Sequence, residues 1–181
     1  MPHNIAVLAR EVWQGHEIWF CDHADSCYAV ESAQTNESFT FKLTKTKLAQ
    51  RREIKYLNTL LGSEADQAWG AFDGERLIGV AQAANEGKNR LYISLMWTDE
   101  AYRRKGVAAA LMDIVKQHAR NSGHRAIVLQ TYSCNEHAIS FYLSQGFNLL
   151  GFDTIANSNE DAANYTVELL FGHLLQPQNL A

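Results

Sequence analysis

The first half of the chain alternates apolar and polar residues, a pattern typical of half-buried β-strands. Mixed β-branched and aromatic residues in HEIWFCD and SCYAVES predict a short strand pair, and SFTFKLT predicts another strand. Residues 46–61 are predicted to be helical. The segment QAWGAFDGERLIGVAQAA predicts two further strands, because its Asp-Gly supplies the positive-φ residues that a tight hairpin requires.

The second half of the chain changes from strand to helix spacing. After the buried strand RLYISLMWT, apolar residues recur at i, i+3, i+4 and i+7, which predicts an amphipathic helix from Gly106 to Asn121. The residues of this stripe are Leu111, Ile114, Val115 and His118. Gly123 is placed to end the helix, because glycine readily adopts the left-handed conformation found after helix C-termini.

A second strand and helix follow. RAIVLQTY predicts the strand, and Asn135 can cap the helix EHAISFYLSQ, whose end is marked by Gly146. Three residues are predicted to share the buried face of this helix: Ile139, Tyr142 and Leu143.

Two further strands are predicted around 147–152 and 165–171. The complete order of strands and helices indicates an α/β or α+β sheet protein.

The 181 residues are 46% hydrophobic, which is enough for one domain with a substantial core. The only prolines, Pro2 and Pro177, lie near the two ends, and no linker separates a second domain. We therefore expect a single domain over residues 1–181.

Composition argues against several classes of partner. Sixteen Lys and Arg against twenty Asp and Glu give a net charge of −4, so a general nucleic-acid surface is not expected. No apolar run approaches the ~20 residues of a membrane span, and the N-terminus has no leader pattern, so we expect a cytoplasmic protein without a membrane partner. The three cysteines are expected to be reduced thiols.

Positive charge is concentrated in the segment RRKGVAAALM. Arg103, Arg104 and Lys105 precede the start of a predicted helix, whose first backbone N–H groups lack intrahelical acceptors. The helix dipole favours an anion there, and the small residues Gly106 and Ala108 would let a phosphate reach the backbone. The segment matches neither a P-loop nor the three-glycine dinucleotide motif, and the alternative is a solvated basic loop.

This segment and a later one together resemble the central motifs of the GNAT superfamily, the acetyl-CoA-dependent N-acetyltransferases. The family pattern Arg/Gln-x-x-Gly-x-Gly/Ala is met at 103–108, and a later Asn, Tyr and Gly-Phe are met by Asn135, Tyr142 and Gly146-Phe147. The clear resemblance covers residues 66–152. A weaker resemblance, in the C-terminal half, is to the streptothricin acetyltransferase branch.

The resemblance implies a GNAT-like fold, which is a mixed, mostly antiparallel central sheet with a splayed parallel strand pair flanked by helices. Residues 38–181 would form its core, and residues 1–37 would be an N-terminal strand extension. The resemblance also implies acetyl-CoA as cosubstrate and no metal ion. Because dimerisation is common among relatives, a homodimer is kept open.

The resemblance assigns roles to individual residues. Backbone groups of Met96, Trp97 and Thr98 would bind the pantetheine amides of CoA, and an N–H near the first two would polarise the acetyl carbonyl. Asn135 would lie beside the pantetheine arm, and Tyr142 would donate a proton to the departing thiolate. The pyrophosphate would bind at Arg103, Arg104, Lys105, Gly106, Val107 and Ala108.

Two positions depart from the family pattern. Glu100 stands where relatives usually have proline, which predicts a less rigid loop. Gln130 stands where some relatives have a glutamate that acts as general base, and a glutamine cannot accept a proton at neutral pH. The base is left open between a water chain, another acid such as Glu168, and an amine that arrives partly neutral.

The expected function is transfer of an acetyl group from acetyl-CoA to a primary amine by direct attack. A small-molecule acceptor, such as an aminoglycoside, a streptothricin-like antibiotic or a polyamine, is preferred to a protein tail, because nothing predicts a long peptide groove. Asp153, Glu160 and Asp161 lie in an acidic segment that either attracts a cationic amine or is an ordinary solvated loop. The alternative function is a catalytically silent acyl-CoA-binding sensor, motivated by Gln130 and opposed by the retained Tyr142.

Other metal-capable or reactive side chains are assigned structural roles. Their spacing matches no zinc pattern well, so we expect no metal at His16, Cys21, His23 and Cys27. His118 is expected at the edge of the core and His137 on the surface. Cys134, with no evident His partner, is expected to pack as a small apolar residue.

Overall fold

The computed structural model describes residues 4–63 and 65–175. The chain divides into two compact units, each assembled from segments that are distant in the sequence. Of the described residues, the first unit contains 4–21, 55–63, 65–129 and 172–175, and the second contains 22–54 and 130–171. No helix in the described part of the chain is long and apolar enough to cross a membrane.

The elements, in chain order, are β1 (Asn4–Val7), α1 (Arg10–Trp13), β2 (Glu17–Gln34), β3 (Phe39–Thr59), β4 (Gln67–Asp73), β5 (Arg76–Gly87), β6 (Arg90–Thr98), a 3-10 helix (Glu100–Tyr102), α2 (Val107–Asn121), β7 (Ala126–Tyr132), α3 (Glu136–Ser144), β8 (Asn148–Asp153) and β9 (Glu168–Leu174). The strands predicted after residue 66 are thus confirmed. The two helices predicted in the same part of the chain are confirmed as α2 and α3.

The first unit is built on a mixed sheet. Strands β1, β4, β5 and β6 are antiparallel neighbours in that order, and β4 and β5 form the predicted hairpin around Asp73-Gly74. β6 also pairs with β7 in parallel, in a register that joins Arg90–Ile93 to Ala126–Leu129. β6 continues past the end of this register to Thr98. The expected mixed sheet, mostly antiparallel with one parallel pair, is therefore confirmed.

One apolar cluster forms much of the core of this unit. Its buried members are Leu8, Ile18, Leu60, Leu61, Ala65, Ala68, Val80 and Leu95. Trp13, Phe72, Leu77 and Trp97 pack against it while partly exposed. Arg10 connects α1 to the segment between β3 and β4, because its guanidinium donates hydrogen bonds to the carbonyl oxygens of Leu61 and Ala65.

α2 is the amphipathic helix that the sequence predicts. Leu111 and Val115 of its apolar stripe are fully buried. The ring of His118 lies 5.0 Å from the ring of Trp69, at the edge of the core, as expected. Burial, reinforced by nearby His124, lowers the pKa of His118 below its ordinary value, which favours the neutral imidazole.

β2 and β3 form a separate two-stranded ribbon, and here two predictions are wrong. β2 is one continuous strand instead of a short pair, and residues 46–59 continue β3 instead of forming a helix. The burial of β3 follows a period of two, because Leu48, Ile54 and Asn58 are at least half-buried while their odd-numbered neighbours are exposed. Pairing with β2 thus outweighs the helix propensity of the Leu, Ala, Gln, Arg and Glu residues in this segment.

In the second unit, α3 begins where the sequence predicts. The side chain of Asn135 caps the helix, because its Oδ1 accepts a hydrogen bond from the N–H of Ala138 at 3.3 Å. Ile139 and Tyr142 are buried, but Leu143 is 49% exposed, so the predicted buried face is only partly correct. The end of this short helix turns Leu143 away from the core.

A buried carboxylate joins the ribbon to α3 within the second unit. Oε1 of Glu136 accepts hydrogen bonds from the N–H groups of Asp25 and Ser26 at 3.0 and 3.1 Å, and its Oε2 lies 2.7 Å from Nζ of Lys45. Burial of the carboxyl acts to raise its pKa, but these hydrogen bonds and the ammonium outweigh burial and hold the pKa of Glu136 below its ordinary value.

Candidate active site

The basic segment forms a tight turn into α2. Arg104 and Gly106 both have left-handed backbone conformations, with φ of +62° and +85°. Gly106 is the N-cap, and the first intrahelical hydrogen bond runs from the N–H of Ala110 to the Gly106 carbonyl oxygen at 3.0 Å. The N–H groups of the first helical turn therefore lie at the end of this turn, as in known anion-binding loops.

Gly106 is required by its conformation. A Cβ built there would have no heavy atom within 4 Å, so crowding does not exclude a larger residue in the isolated protein. A φ of +85° is, however, strained for any residue with a side chain. Val107 is buried and Ala108 is half-buried behind this turn.

The start of α2 is fixed by its contact with β5. A Cβ at Gly79 would lie 2.6 Å from Cγ1 of Val107, which is closer than Cβ atoms approach other atoms, and 3.0 Å from Cδ1 of Leu111, which is a tight contact. The absence of a side chain at Gly79 therefore allows the first turn of the helix to sit directly on the sheet. Sequence reasoning missed this residue, although a glycine inside a strand pattern signals close approach.

The guanidinium of Arg103 contacts backbone carbonyl groups and an aromatic ring of neighbouring segments. It donates hydrogen bonds to the carbonyl oxygens of Cys21 and Thr98, the latter at 3.5 Å, and lies over the ring of Phe20 at 5.9 Å. These contacts fasten the basic loop to the beginning of β2 and the end of β6. Arg104 and Lys105 are exposed beside the turn.

The loop before the turn is held by acidic and aromatic side chains. Oδ1 of Asp99 accepts a hydrogen bond from the N–H of Ala101 at 2.9 Å, and its Oδ2 pairs with Arg76 at 2.8 Å. The phenol of Tyr102 donates to Asp73 at 2.6 Å, and Nζ of Lys105 lies 5.1 Å from the centre of its ring. A 3-10 helix capped by Asp99 thus stands where Glu100 replaces the usual proline.

Met96, Trp97 and Thr98 lie at the end of β6, paired on one side with Ala81, Val80 and Gly79 of β5. They lie beyond the parallel register with β7, which ends at Ile93. The indole of Trp97 donates to the carbonyl oxygen of Trp19 at 3.2 Å. An open cavity of about 510 Å³ beside this strand end is lined in part by Trp19, Trp97, Asp99 and Arg103.

In the second unit, Tyr142 is 7% exposed and lies in an aromatic cluster. Its ring centre is 5.5 Å from that of Phe141, 5.9 Å from that of Phe147 and 6.4 Å from that of Phe171. The cluster gives the ring a fixed orientation, which a proton donor requires. Asn135 lies seven residues earlier, where its side chain caps α3.

Gln130 is hydrogen-bonded to Glu168, the acid that the sequence analysis gave as one candidate for the general base. Its Nε2 donates to Oε2 of Glu168 at 2.9 Å. Burial, together with the charges of Asp153 and Asp161, raises the pKa of Glu168 above its ordinary value. Nearby Tyr132 has its phenol pKa raised by burial and by Glu168 and Asp161, which favours its neutral form.

The remaining candidates have structural surroundings. Cys27 and Cys134 are buried, and burial raises both thiol pKa values, that of Cys27 to about 11 with a further contribution from Cys134. Neither is therefore an activated nucleophile at neutral pH. His137 is exposed and lies 3.2 Å from Asp22. Within the described residues, no three His, Cys, Asp or Glu side chains are grouped so as to hold a metal ion.

Comparison with known proteins identifies relatives of this chain. The sequence profile of the Acetyltransferase (GNAT) family matches residues 17–147. Among curated proteins, N-acetyltransferase 8F1 of Rattus norvegicus is 30% identical over 88 residues, which cover 46% of this chain and 40% of that protein. The match thus covers less than half the length of that relative.

Two solved structures resemble the whole fold. Nourseothricin acetyltransferase superposes with a TM-score of 0.74 at 20% identity, covering 97% of this chain and all of the other. A protein from Bacillus anthracis str. Ames, assigned as a streptothricin acetyltransferase and solved in complex with acetyl coenzyme A, gives a TM-score of 0.72 at the same identity and coverage. At this identity the similarity establishes the fold alone.

Proposed function

The chain belongs to the acetyltransferase (GNAT) family, and we propose that it transfers the acetyl group of acetyl-CoA to a primary amine of a small molecule. The observation that carries the proposal is the left-handed turn at Arg104 and Gly106, which leads into the first N–H groups of α2. Backbone N–H groups at such a turn suit a pyrophosphate, the most highly charged part of acetyl-CoA.

The proposed roles of the cosubstrate-binding residues follow from their places in the first unit. Arg104, Lys105, Gly106, Val107 and Ala108 would bind the pyrophosphate through backbone N–H groups and surface charge. Arg103 would hold the loop in place as well as contribute charge, because its guanidinium is bonded to two carbonyl groups. The backbone of Met96, Trp97 and Thr98 would bind the pantetheine, and a backbone N–H of Met96 or Trp97 would polarise the acetyl carbonyl.

Tyr142 is the proposed proton donor. The neutral amine attacks the carbonyl carbon, a C–N bond forms, and the C–S bond breaks as the thiolate leaves. Tyr142 gives its proton to the sulfur and regains one from the nitrogen, so that amide and thiol are the products. Asn135 would bind the pantetheine arm with the donors that capping leaves available.

The preference for a small-molecule acceptor is supported by the two structural relatives that span the whole chain. Their names refer to nourseothricin and streptothricin, and both superpose over 97% of this chain. We therefore propose an aminoglycoside, a streptothricin-like antibiotic or a polyamine as the acceptor. The cytoplasmic location, the homodimer and the single-domain organisation of residues 1–181 stay predictions.

The test is thiol release from acetyl-CoA across a panel of amines that contains aminoglycosides, streptothricin, polyamines, amino acids and short peptides. Tyr142→Phe is expected to lower kcat by about 10²-fold with one acceptor class while leaving acetyl-CoA affinity unchanged. Tyr56→Phe is the matched control, because its ring stacks on Phe20 at 4.6 Å and it has no proposed catalytic role. Tight binding of acetyl-CoA without transfer to any amine would favour the sensor alternative.

A further inference from the structure

β8 presents apolar side chains to solvent on both of its faces. Consecutive residues of a strand point to opposite faces, so an antiparallel strand at a protein surface usually buries every second residue. Leu149 and Leu150 are consecutive, yet they are 38% and 55% exposed. Neither face of the strand is therefore fully covered by the described part of the chain.

The outer edge of β8 is open as well. Among the described strands, β8 is the last of its sheet and pairs with β9 alone. The backbone groups on its other side have no strand partner there, and such an edge is a template for pairing with another strand. Proteins commonly protect an open edge with charges or proline, but Asn148–Asp153 contains no proline and a single charge, at its last residue.

An apolar groove lies beside this strand within the second unit. Phe41 of β3 packs edge-on against Phe152 of β8, with ring centres 5.0 Å apart. Phe41 is 60% exposed, and Phe39, which shares its face of β3, is 66% exposed. The groove has a volume of about 470 Å³, and its lining residues are all uncharged: Phe41, Leu43, Leu149, Leu150, Gly151 and Phe152. A contiguous apolar surface of this kind is typical of a protein–protein contact.

We infer that β8 is the interface of a symmetric homodimer, in which it pairs in antiparallel orientation with β8 of a second copy of the chain. A two-fold interface brings the same surface together twice, so this surface has to complement itself. The sequence of β8 can be tested for that property. Full overlap of the two strands pairs the first residue with the last, the second with the fifth and the third with the fourth.

The apolar residues of β8 complement one another in this register. Leu149 lies opposite the partner's Phe152, and an aliphatic and an aromatic side chain directly opposite each other stabilise a strand pair. Leu150 lies opposite the partner's Gly151. A Cβ built on Gly151 has no heavy atom within 4 Å, so there is room beside this residue for the leucine side chain. Each face of the joined strands thus receives the same apolar side chains.

The charge of β8 is also compatible with a second copy. Asp153 lies opposite the partner's Asn148 in this register, so no two carboxylates face each other. The two copies of Asp153 are separated by five residues along the joined strands, which is about 17 Å at about 3.4 Å per residue. The uncharged groove contains nothing that would select an acidic or basic partner, which favours a second copy as its occupant.

Sedimentation velocity of the full chain over a concentration series tests the interface. The unchanged protein is expected to shift from the mass of one chain to twice that mass as the concentration rises. Leu150→Lys places a charge in the contact from both copies and should raise the dimer dissociation constant at least about 10²-fold. Val12→Lys is the matched control, because Val12 is 61% exposed in the first unit, and it should leave the constant unchanged. Urea unfolding of each dilute variant reports whether it is folded.

Disulfide cross-linking tests the register. Directly opposite residues of antiparallel strands have Cα atoms about 4.5–5.5 Å apart, a distance that a disulfide can span. An equal mixture of the Asn148→Cys and Asp153→Cys proteins is expected to form, on mild oxidation, a linked dimer with one copy of each. Either variant alone should cross-link no more than the unchanged protein, because its two introduced thiols would be about 17 Å apart.

Several results would overturn the inference. One is a chain that stays monomeric up to about 0.5 mM, and another is a dimer that Leu150→Lys and Val12→Lys affect equally. A third is a single Cys variant that cross-links with itself as efficiently as the mixture does, because this would require another register. Concentration-dependent dimerisation that Leu150→Lys abolishes, together with cross-linking in the mixture alone, would support it.

Discussion

Gly106 and Gly123 bracket α2 in the same left-handed conformation, with φ of +85° and +72°. A Cβ built on either residue has no heavy atom within 4 Å, so lack of space does not explain the glycines. The left-handed backbone conformation favours glycine at both positions. The two glycines differ in what they adjoin. Gly106 completes the proposed anion-binding turn, whereas Gly123 lies beyond the opposite end of the helix. They therefore form a matched pair for substitution.

Gly106→Ala and Gly123→Ala are each expected to lower the free energy of unfolding by roughly 1–2 kcal/mol, the cost of a side chain in the left-handed region. Only Gly106→Ala should also weaken acetyl-CoA binding, by at least about tenfold, because a distorted turn redirects the N–H groups. Urea unfolding and calorimetric titration measure the two effects. Equal acetyl-CoA affinity in the two variants would argue against an anion site at Gly106.

Gly79→Ala tests whether the seating of α2 on β5 positions this turn. The added methyl group would meet Val107 Cγ1 at 2.6 Å, so we expect a loss of roughly 1–3 kcal/mol in the free energy of unfolding and weaker acetyl-CoA binding. Val107→Ala in the same chain removes the atom of the shortest contact and leaves the contact with Leu111 Cδ1 at 3.0 Å. The double variant should therefore bind acetyl-CoA better than Gly79→Ala alone, a non-additivity that independent sites would not give.

Local signals in the sequence located the elements of the candidate site. The hairpin at Asp73-Gly74, the cap at Asn135 and the glycine ends of α2 and α3 each depend on a few neighbouring residues, and the structure contains all of them. The mixed sheet could be expected only from the resemblance to a family, because strand order depends on contacts between distant segments.

Long-range contacts account for what the sequence did not reveal. β3 becomes a strand through pairing with β2, against its own helix propensity. The guanidinium of Arg103 is bonded to Cys21, 82 residues away, so charge alone could not indicate its second role. Likewise, the hydrogen bond from Gln130 to Glu168 spans 38 residues, and no spacing rule connects a glutamine on one strand to a carboxylate on another.

Glu136→Gln tests the buried carboxylate beside Lys45. The amide can still accept the two backbone hydrogen bonds but lacks the charge that faces the ammonium, so the variant should be about 1 kcal/mol less stable at pH 7. The pKa of Glu136 is lowered in the folded protein, so its contribution is present above the unfolded pKa of about 4.3 and is lost as pH falls through the folded value.

The stability difference between the two proteins should therefore shrink as pH falls through the folded pKa of Glu136, because its protonated carboxyl is uncharged like the amide. Urea unfolding at pH 7 and pH 3 measures it. Lys45→Met provides a control, because Glu136→Gln should cost less charge–charge stabilisation in that background. A difference that is the same at both pH values would show that the carboxylate charge is not the source of the stability.

Gln130→Glu places a second carboxylate where an amide now donates to Glu168 at 2.9 Å. Like charges at this distance raise the pKa of the pair further in the folded protein. When the pKa of a carboxyl is higher in the folded protein, the free energy of unfolding is unaffected below the unfolded pKa of about 4.3. It then decreases as pH rises towards the folded pKa. We expect equal stability to the unchanged protein near pH 4 and a deficit of about 1 kcal/mol at pH 8. Gln130→Leu removes the hydrogen bond to the Glu168 carboxylate without adding a charge, so it should show a smaller deficit at pH 8 than Gln130→Glu. Equal deficits in the two variants at pH 8 would refute the electrostatic coupling.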